Sequence, residues 1–104
     1  MADTDRERRG EVLEKKQEET DEPQLYRVIV HNDDYTPMDF VVDILEGIFG
    51  KSPAEAHRVM MQVHSRGSGI AGIYPHEVAE TKVALVHDLA QAEGHPLRAS
   101  LEQE

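Results

Sequence analysis

Cysteine and tryptophan are absent from this 104-residue sequence. Without cysteine there can be no disulfide, no thiolate zinc site and no cysteine nucleophile. Basic residues are scarce: 11 Lys and Arg stand against 21 Asp and Glu, a net charge of -10. Phosphate backbones need a basic face, so nucleic acid is a poor partner, while a cationic ligand or a basic protein surface suits this chain. No apolar run approaches the roughly 20 residues that span a bilayer. The opening Met-Ala-Asp-Thr-Asp-Arg-Glu-Arg-Arg has no apolar stretch of signal-peptide type. These absences predict a soluble, cytoplasmic protein with neither membrane nor nucleic-acid partners. Catalytic signatures are missing as well: there is no Gly-rich phosphate loop, no nucleophile elbow and no His-Glu-x-x-His. His57 and His64 would lie two helical turns apart, a poor zinc pair, and Asp33, Asp34, Asp39 and Asp43 do not fit a calcium loop. The expectation is a protein without cofactor or metal, and not an enzyme.

What is present divides into a tail and a domain. Residues 1–24 carry nine acidic and five basic side chains, with Val12 and Leu13 the only sizeable apolar ones. Such a segment buries too little surface to offset the entropy of ordering it, so a flexible acidic extension is predicted. Residues 25–104 read as one domain. Leu25 to Val30 is rich in β-branched residues and stops at the turn formers His31-Asn32-Asp33-Asp34-Tyr35, which predicts a strand. Thr36 fits a helix N-cap, Pro37 the first helical position and Asp39 a capping-box carboxylate. Met38, Val41, Val42, Leu45, Ile48 and Phe49 then follow helical spacing up to Gly50. Ser52-Pro53-Ala54-Glu55 repeats the start signal for a second helix, with Ala56, Val59, Met60 and Val63 on one face and a stop near Arg66-Gly67. Gly67 to Tyr74 reads as a second strand behind a tight turn. Pro75 opens a third helix striped by Ala79, Val83, Val86 and Ala90, with Val78, Leu85 and Leu89 beside it, and Gly94 stops it. The alternation of Leu97, Ala99 and Leu101 predicts a last strand. The order β-α-α-β-α-β implies a small α+β fold, a three-stranded antiparallel sheet packed against helices.

One region carries chemistry. Asn32, Asp33 and Asp34 place three acceptor side chains at a strand end beside a helix start. Met60, Val63 and His64 share one face of the second helix, and Met38 and Val41 make a similar pair on the first. The short link Gly50 to Ser52 makes these helices antiparallel neighbours, able to line a pocket with apolar walls and a polar rim. Acceptors suit an ammonium group, and methionine walls suit a large, variable side chain. A protein α-amino group followed by a bulky first residue offers both. From residue types alone, the same residues also read as an ordinary turn, a plain core and a satisfied histidine.

The string Asn32-Asp33-Asp34-Tyr35-Thr36-Pro37-Met38-Asp39-Phe40-Val41 strongly resembles the ClpS family, adaptors of the bacterial Clp protease. The resemblance continues through Met60-Met61-Gln62-Val63-His64, Gly72-Ile73-Tyr74, Glu77-Val78-Ala79-Glu80-Thr81-Lys82-Val83 and His95-Pro96-Leu97. It implies an adaptor that binds N-degrons beginning with Leu, Phe, Tyr or Trp and delivers them to a ClpA-type AAA+ unfoldase for degradation by ClpP. It further implies that Asn32 and His64 bond the substrate α-ammonium and that Asp33 bonds the start of its backbone. Asp34, Thr36, Met38, Val41, Met60, Val63 and Leu97 would line the first-side-chain pocket, with Met38 gating against β-branched residues. Glu77 and Lys82 would dock on the N-terminal domain of the unfoldase, and the tail would engage it during handover. A monomer is expected. Ala71, Pro75 and His76 depart from the family's common pattern, the last two beside Glu77. Two alternatives remain: a docking-only module of the same fold, and a Mg²⁺-dependent phosphoacceptor domain suggested by the Asp pair after the first strand. The second would require alternating strands and helices.

Overall fold

The computed structural model of the protein describes residues 23–104. The expected extension over residues 1–24 falls almost wholly outside them. Three strands and three helices follow in the order expected: β1 (Leu25–His31), α1 (Met38–Gly47), α2 (Pro53–Arg66), β2 (Ser68–Pro75), α3 (His76–Glu93) and β3 (Arg98–Gln103). The sheet order is β2-β1-β3, antiparallel throughout, with β1 in the centre. That order rules out the parallel alternation of a phosphoacceptor domain.

β1 alternates as a half-buried strand should. Val28 and Val30 are fully buried, while Arg27, Ile29 and His31 lie on the opposite face. Val28 pairs with Gly72 and Ile29 with Ile70, so Ala71 is an extra residue in β2, a bulge that is itself fully buried. α3 packs across all three strands, α2 against β2, and α1 against α2. Leu45, Val28, Val30 and Val86 are the largest fully enclosed side chains. Each contributes about 1.5–3 kcal/mol by leaving water.

Two helix starts differ from the sequence reading. Ser52 caps α2 as expected: its Oγ accepts from the Glu55 N–H at 3.2 Å, and Pro53 takes the first position. α1, by contrast, begins at Met38 with Pro37 at the N-cap and no side-chain cap. Thr36 does not cap it: it lies one residue before the N-cap, and its hydroxyl donates to Asp33 at 2.7 Å. The regular helix closes at Gly47, and the chain leaves through Gly50 at φ 63°, a left-handed turn that favours glycine. Pro75 is likewise the N-cap residue of α3, one position before its expected place. β3 starts one residue after Leu97, which is buried at 3% exposure just ahead of it.

Candidate functional site

The loop from β1 to α1 is held by its own atoms. The Asn32 N–H donates to the Gly67 carbonyl at 2.9 Å, tying the end of β1 to the end of α2. Asp33 Oδ1 accepts from the N–H groups of Tyr35 at 2.8 Å and Thr36 at 2.7 Å, and Oδ2 accepts from the Thr36 hydroxyl. This is an Asx turn with a second bond added. Burial pushes the Asp33 carboxyl up, but the bonds from Thr36 and Tyr35 and the charge of His95 together hold it below its ordinary value. Its carboxylate is therefore a fixture of the loop, and Asn32, Asp34 and His64 are the exposed polar groups around it.

α1 and α2 supply the walls. Asn32, Asp33, Asp34, Thr36, Met38, Val41, Met60, Val63 and His64 line one cavity of about 240 Å³. That is below the roughly 300–1,000 Å³ of ordinary small-molecule sites and suits a single side chain. Val41, Met60 and Val63 are buried at 6%, 5% and 3% exposure, whereas Met38 is 42% exposed. The walls are rigid where they join the core and adjustable at the mouth. Of the predicted pocket residues, Leu97 alone is not among the lining; it belongs to the core cluster. The sequence reading missed Gly69. A Cβ there would stand 2.9 Å from Val63 Cγ2 and 3.4 Å from the Val59 carbonyl, so glycine is what lets β2 approach this wall. The signal available was three glycines among apolar residues, which marks a close approach without saying to what.

Glu77 and Lys82 lie on α3, away from the cavity, and share a shallow depression of about 320 Å³ with Val78, Thr81 and Leu85. Val78 and Leu85 are 43% and 44% exposed. Lys82 also has an internal role that no sequence pattern foretold. Its ammonium donates to the Ile48 carbonyl at 2.7 Å and lies 5.1 Å from the Tyr74 ring and 5.8 Å from that of Phe49. It thereby fastens α3 to the turn after α1. His76 bonds Glu80 at 2.7 Å and stacks edge-on against Tyr26, 4.7 Å between ring centres. Among the described residues no group of three or more metal-ligating side chains converges, and no helix is long and apolar enough to cross a membrane.

Residues 21–100 match the family described as "ATP-dependent Clp protease adaptor protein ClpS". The chain is 52% identical over 95 residues to the ATP-dependent Clp protease adapter protein ClpS of Desulfatibacillum aliphaticivorans, covering 91% of each. With the ClpS of Desulfotalea psychrophila it shares 60% identity over 86 residues, covering 83% of this chain and 84% of that one. Among solved structures it is similar to Agrobacterium tumefaciens ClpS2 bound to L-phenylalaninamide. The identity is 40% and the TM-score 0.76, over 79% of this chain and 99% of the other.

Proposed function

The chain belongs to the ClpS family of adaptor proteins of the ATP-dependent Clp protease, and from that premise we propose that it binds the free α-amino group and bulky first residue of N-degron proteins. The observation that carries this reading is the single cavity in which Asn32, Asp34 and His64 meet the methionine-walled space of Met38 and Met60. A polar rim takes the ammonium, and the apolar interior takes Leu, Phe, Tyr or Trp. L-Phenylalaninamide, which the A. tumefaciens relative binds, has both parts. Asn32 and His64 accept from the ammonium. Asp33 meets the first peptide unit through its main chain, because its carboxylate is already bonded within the loop. Met38 screens β-branched side chains at the mouth, and Leu97 supports the walls from the core behind them. Glu77 and Lys82, with the apolar Val78 and Leu85 beside them, dock on the N-terminal domain of a ClpA-type unfoldase. The protein acts as a monomer and delivers its cargo without turnover of its own.

The test is fluorescence anisotropy with a labelled peptide beginning in Phe, beside its N-acetylated twin. Acetylation removes a charged donor and leaves Asn32 and His64 without it in the complex, a loss of about 1.5–3 kcal/mol, so affinity should fall at least tenfold. Free-peptide binding should also weaken as the α-amine loses its proton above about pH 8. Equal affinity for both peptides would remove the amine reading and leave a docking-only module.

A further inference from the structure

Between α1 and α3 runs a second, wider groove of about 620 Å³ that shares no lining residue with the first cavity. Phe40, Ile48 and Leu89 give it apolar surface over the buried Ile44, and Asp39, Asp43 and Glu93 border it. Leu89 is 45% exposed, and a Cβ placed at Gly47 would meet nothing within 4 Å, so the groove is open along its length. No Lys or Arg is among the described residues that line it. Lys82 comes near one end, but its ammonium is bonded to the Ile48 carbonyl. An occupant must therefore offer apolar side chains flanked by cations.

One stretch of this chain has that pattern. Residues 6–16, Arg-Glu-Arg-Arg-Gly-Glu-Val-Leu-Glu-Lys-Lys, carry five basic and three acidic side chains, with Val12 and Leu13 between the basic clusters. The reach is sufficient. Leu25 pairs with Pro75, so the chain enters the domain beside the start of α3. The Ile48 end of the groove lies at Lys82, about 9 Å further along the axis of α3. Residues 17–22 can span up to about 20 Å. From there α1 and α3 continue side by side to the other end, where the Phe40 ring meets that of His95 at 4.6 Å.

We propose that residues 6–16 dock in this groove of their own chain, with Val12 and Leu13 against Phe40, Ile48 and Leu89 and the basic side chains facing Asp39, Asp43 and Glu93. Tethering sets a local concentration in the millimolar range, enough to populate a contact that would be weak between separate molecules. The contact is largely electrostatic at its rim, so salt loosens it. This inference stands independently of the amine reading.

The absence of cysteine makes the test direct. A nitroxide is attached to the full chain through Gly10→Cys, and amide broadening is read in isotope-labelled protein at low salt. The amides of Asp43, Ile44, Gly47, Ile48 and Leu89 should broaden at least twofold more than those of Ile29 and Ile70 on the sheet. The excess should vanish in a Val12→Ser, Leu13→Ser variant, which leaves the folded domain untouched, and in Asp43→Lys with Glu93→Lys. Uniform broadening, or an excess that survives both variants, overturns the proposal. So does equal broadening when the nitroxide sits on unlabelled molecules mixed with labelled ones, which would make a second copy the occupant.

Discussion

The cavity at the end of β1 and the open face of α3 are both concave and both carry charged side chains, yet they are constructed differently. The cavity is small and backed by the core, and its acidic loop is braced by three bonds to one carboxylate. The α3 depression is shallower and more open, with Val78 and Leu85 nearly half exposed. A site that reads one ammonium and one side chain must fix its acceptors before the ligand arrives, because each misplaced acceptor costs binding energy. A site that meets a whole protein surface gains more from exposed apolar area and tolerates adjustment. The difference also separates residues that hold the fold from those proposed to face a ligand, and substitutions can expose that boundary.

The largest effect should come from Leu97→Ala, which opens a hole in the core and should cost about 2–5 kcal/mol in denaturant unfolding. Peptide affinity of the folded fraction should change little. Met38→Ala should do the reverse, leaving stability within about 0.5 kcal/mol while admitting peptides that begin with Val or Ile. If Leu97→Ala instead shifts peptide preference at unchanged stability, Leu97 faces the ligand directly. Lys82→Ala should cost about 1.5–3 kcal/mol, since it removes a charged hydrogen bond and the contacts with two rings. Glu77→Ala should stay within about 0.5 kcal/mol, although both should weaken binding to an unfoldase N-terminal domain. Equal stabilities of the two variants would dissolve the distinction between tether and contact. Gly69→Ala should push Val63 into the cavity, costing about 1–3 kcal/mol and lowering affinity for a Trp-starting peptide more than for a Leu-starting one. An unchanged Trp-to-Leu ratio would show that Val63 yields elsewhere.

The smallest effect concerns acid. The Asp33 carboxyl is held below its ordinary value near 3.8 in the folded protein. Its contribution is therefore complete above the unfolded value and is lost only as pH falls through the lower, folded one. The Tyr35 and Thr36 amide shifts should stay constant down to about pH 4. A titration of those amides with its midpoint at or above 3.8 would show that the bonds to Asp33 do not persist in solution.

Features encoded within four residues of sequence were readable in advance. The Ser52 cap, Pro53, and the glycine stops at Gly67 and Gly94 all appear where the local chemistry requires them. Strand and helix order followed from period and turn residues. The start of α1 was misread for an equally local reason: the helix begins one residue later than Thr36-Pro37 suggests, and the Thr36 side chain bonds Asp33, three residues upstream. Asn32, Asp34 and His64 could be picked out as polar groups, but contacts between distant segments, the Asn32–Gly67 bond and the β1–β2 pairing among them, bring that loop against α2. The alternation with Ala99 and Leu101 placed Leu97 in a strand and the family resemblance implied a pocket wall; it is buried just ahead of β3 and is not among the residues that line the cavity. The bond from Lys82 to Ile48 spans 34 positions and leaves no periodic trace.

The Glu104 N–H donates to the Leu25 carbonyl at 2.9 Å, so the end of the domain lies beside its beginning. The seven residues of β1 then separate this pole from the one that carries Asn32, about 20 Å away. A fluorophore or fused domain attached after Glu104 is consequently kept clear of the cavity. The same adjacency favours circular permutation: joining the two ends and opening the chain at Gly50–Ser52 would give a protein whose new termini lie between α1 and α2.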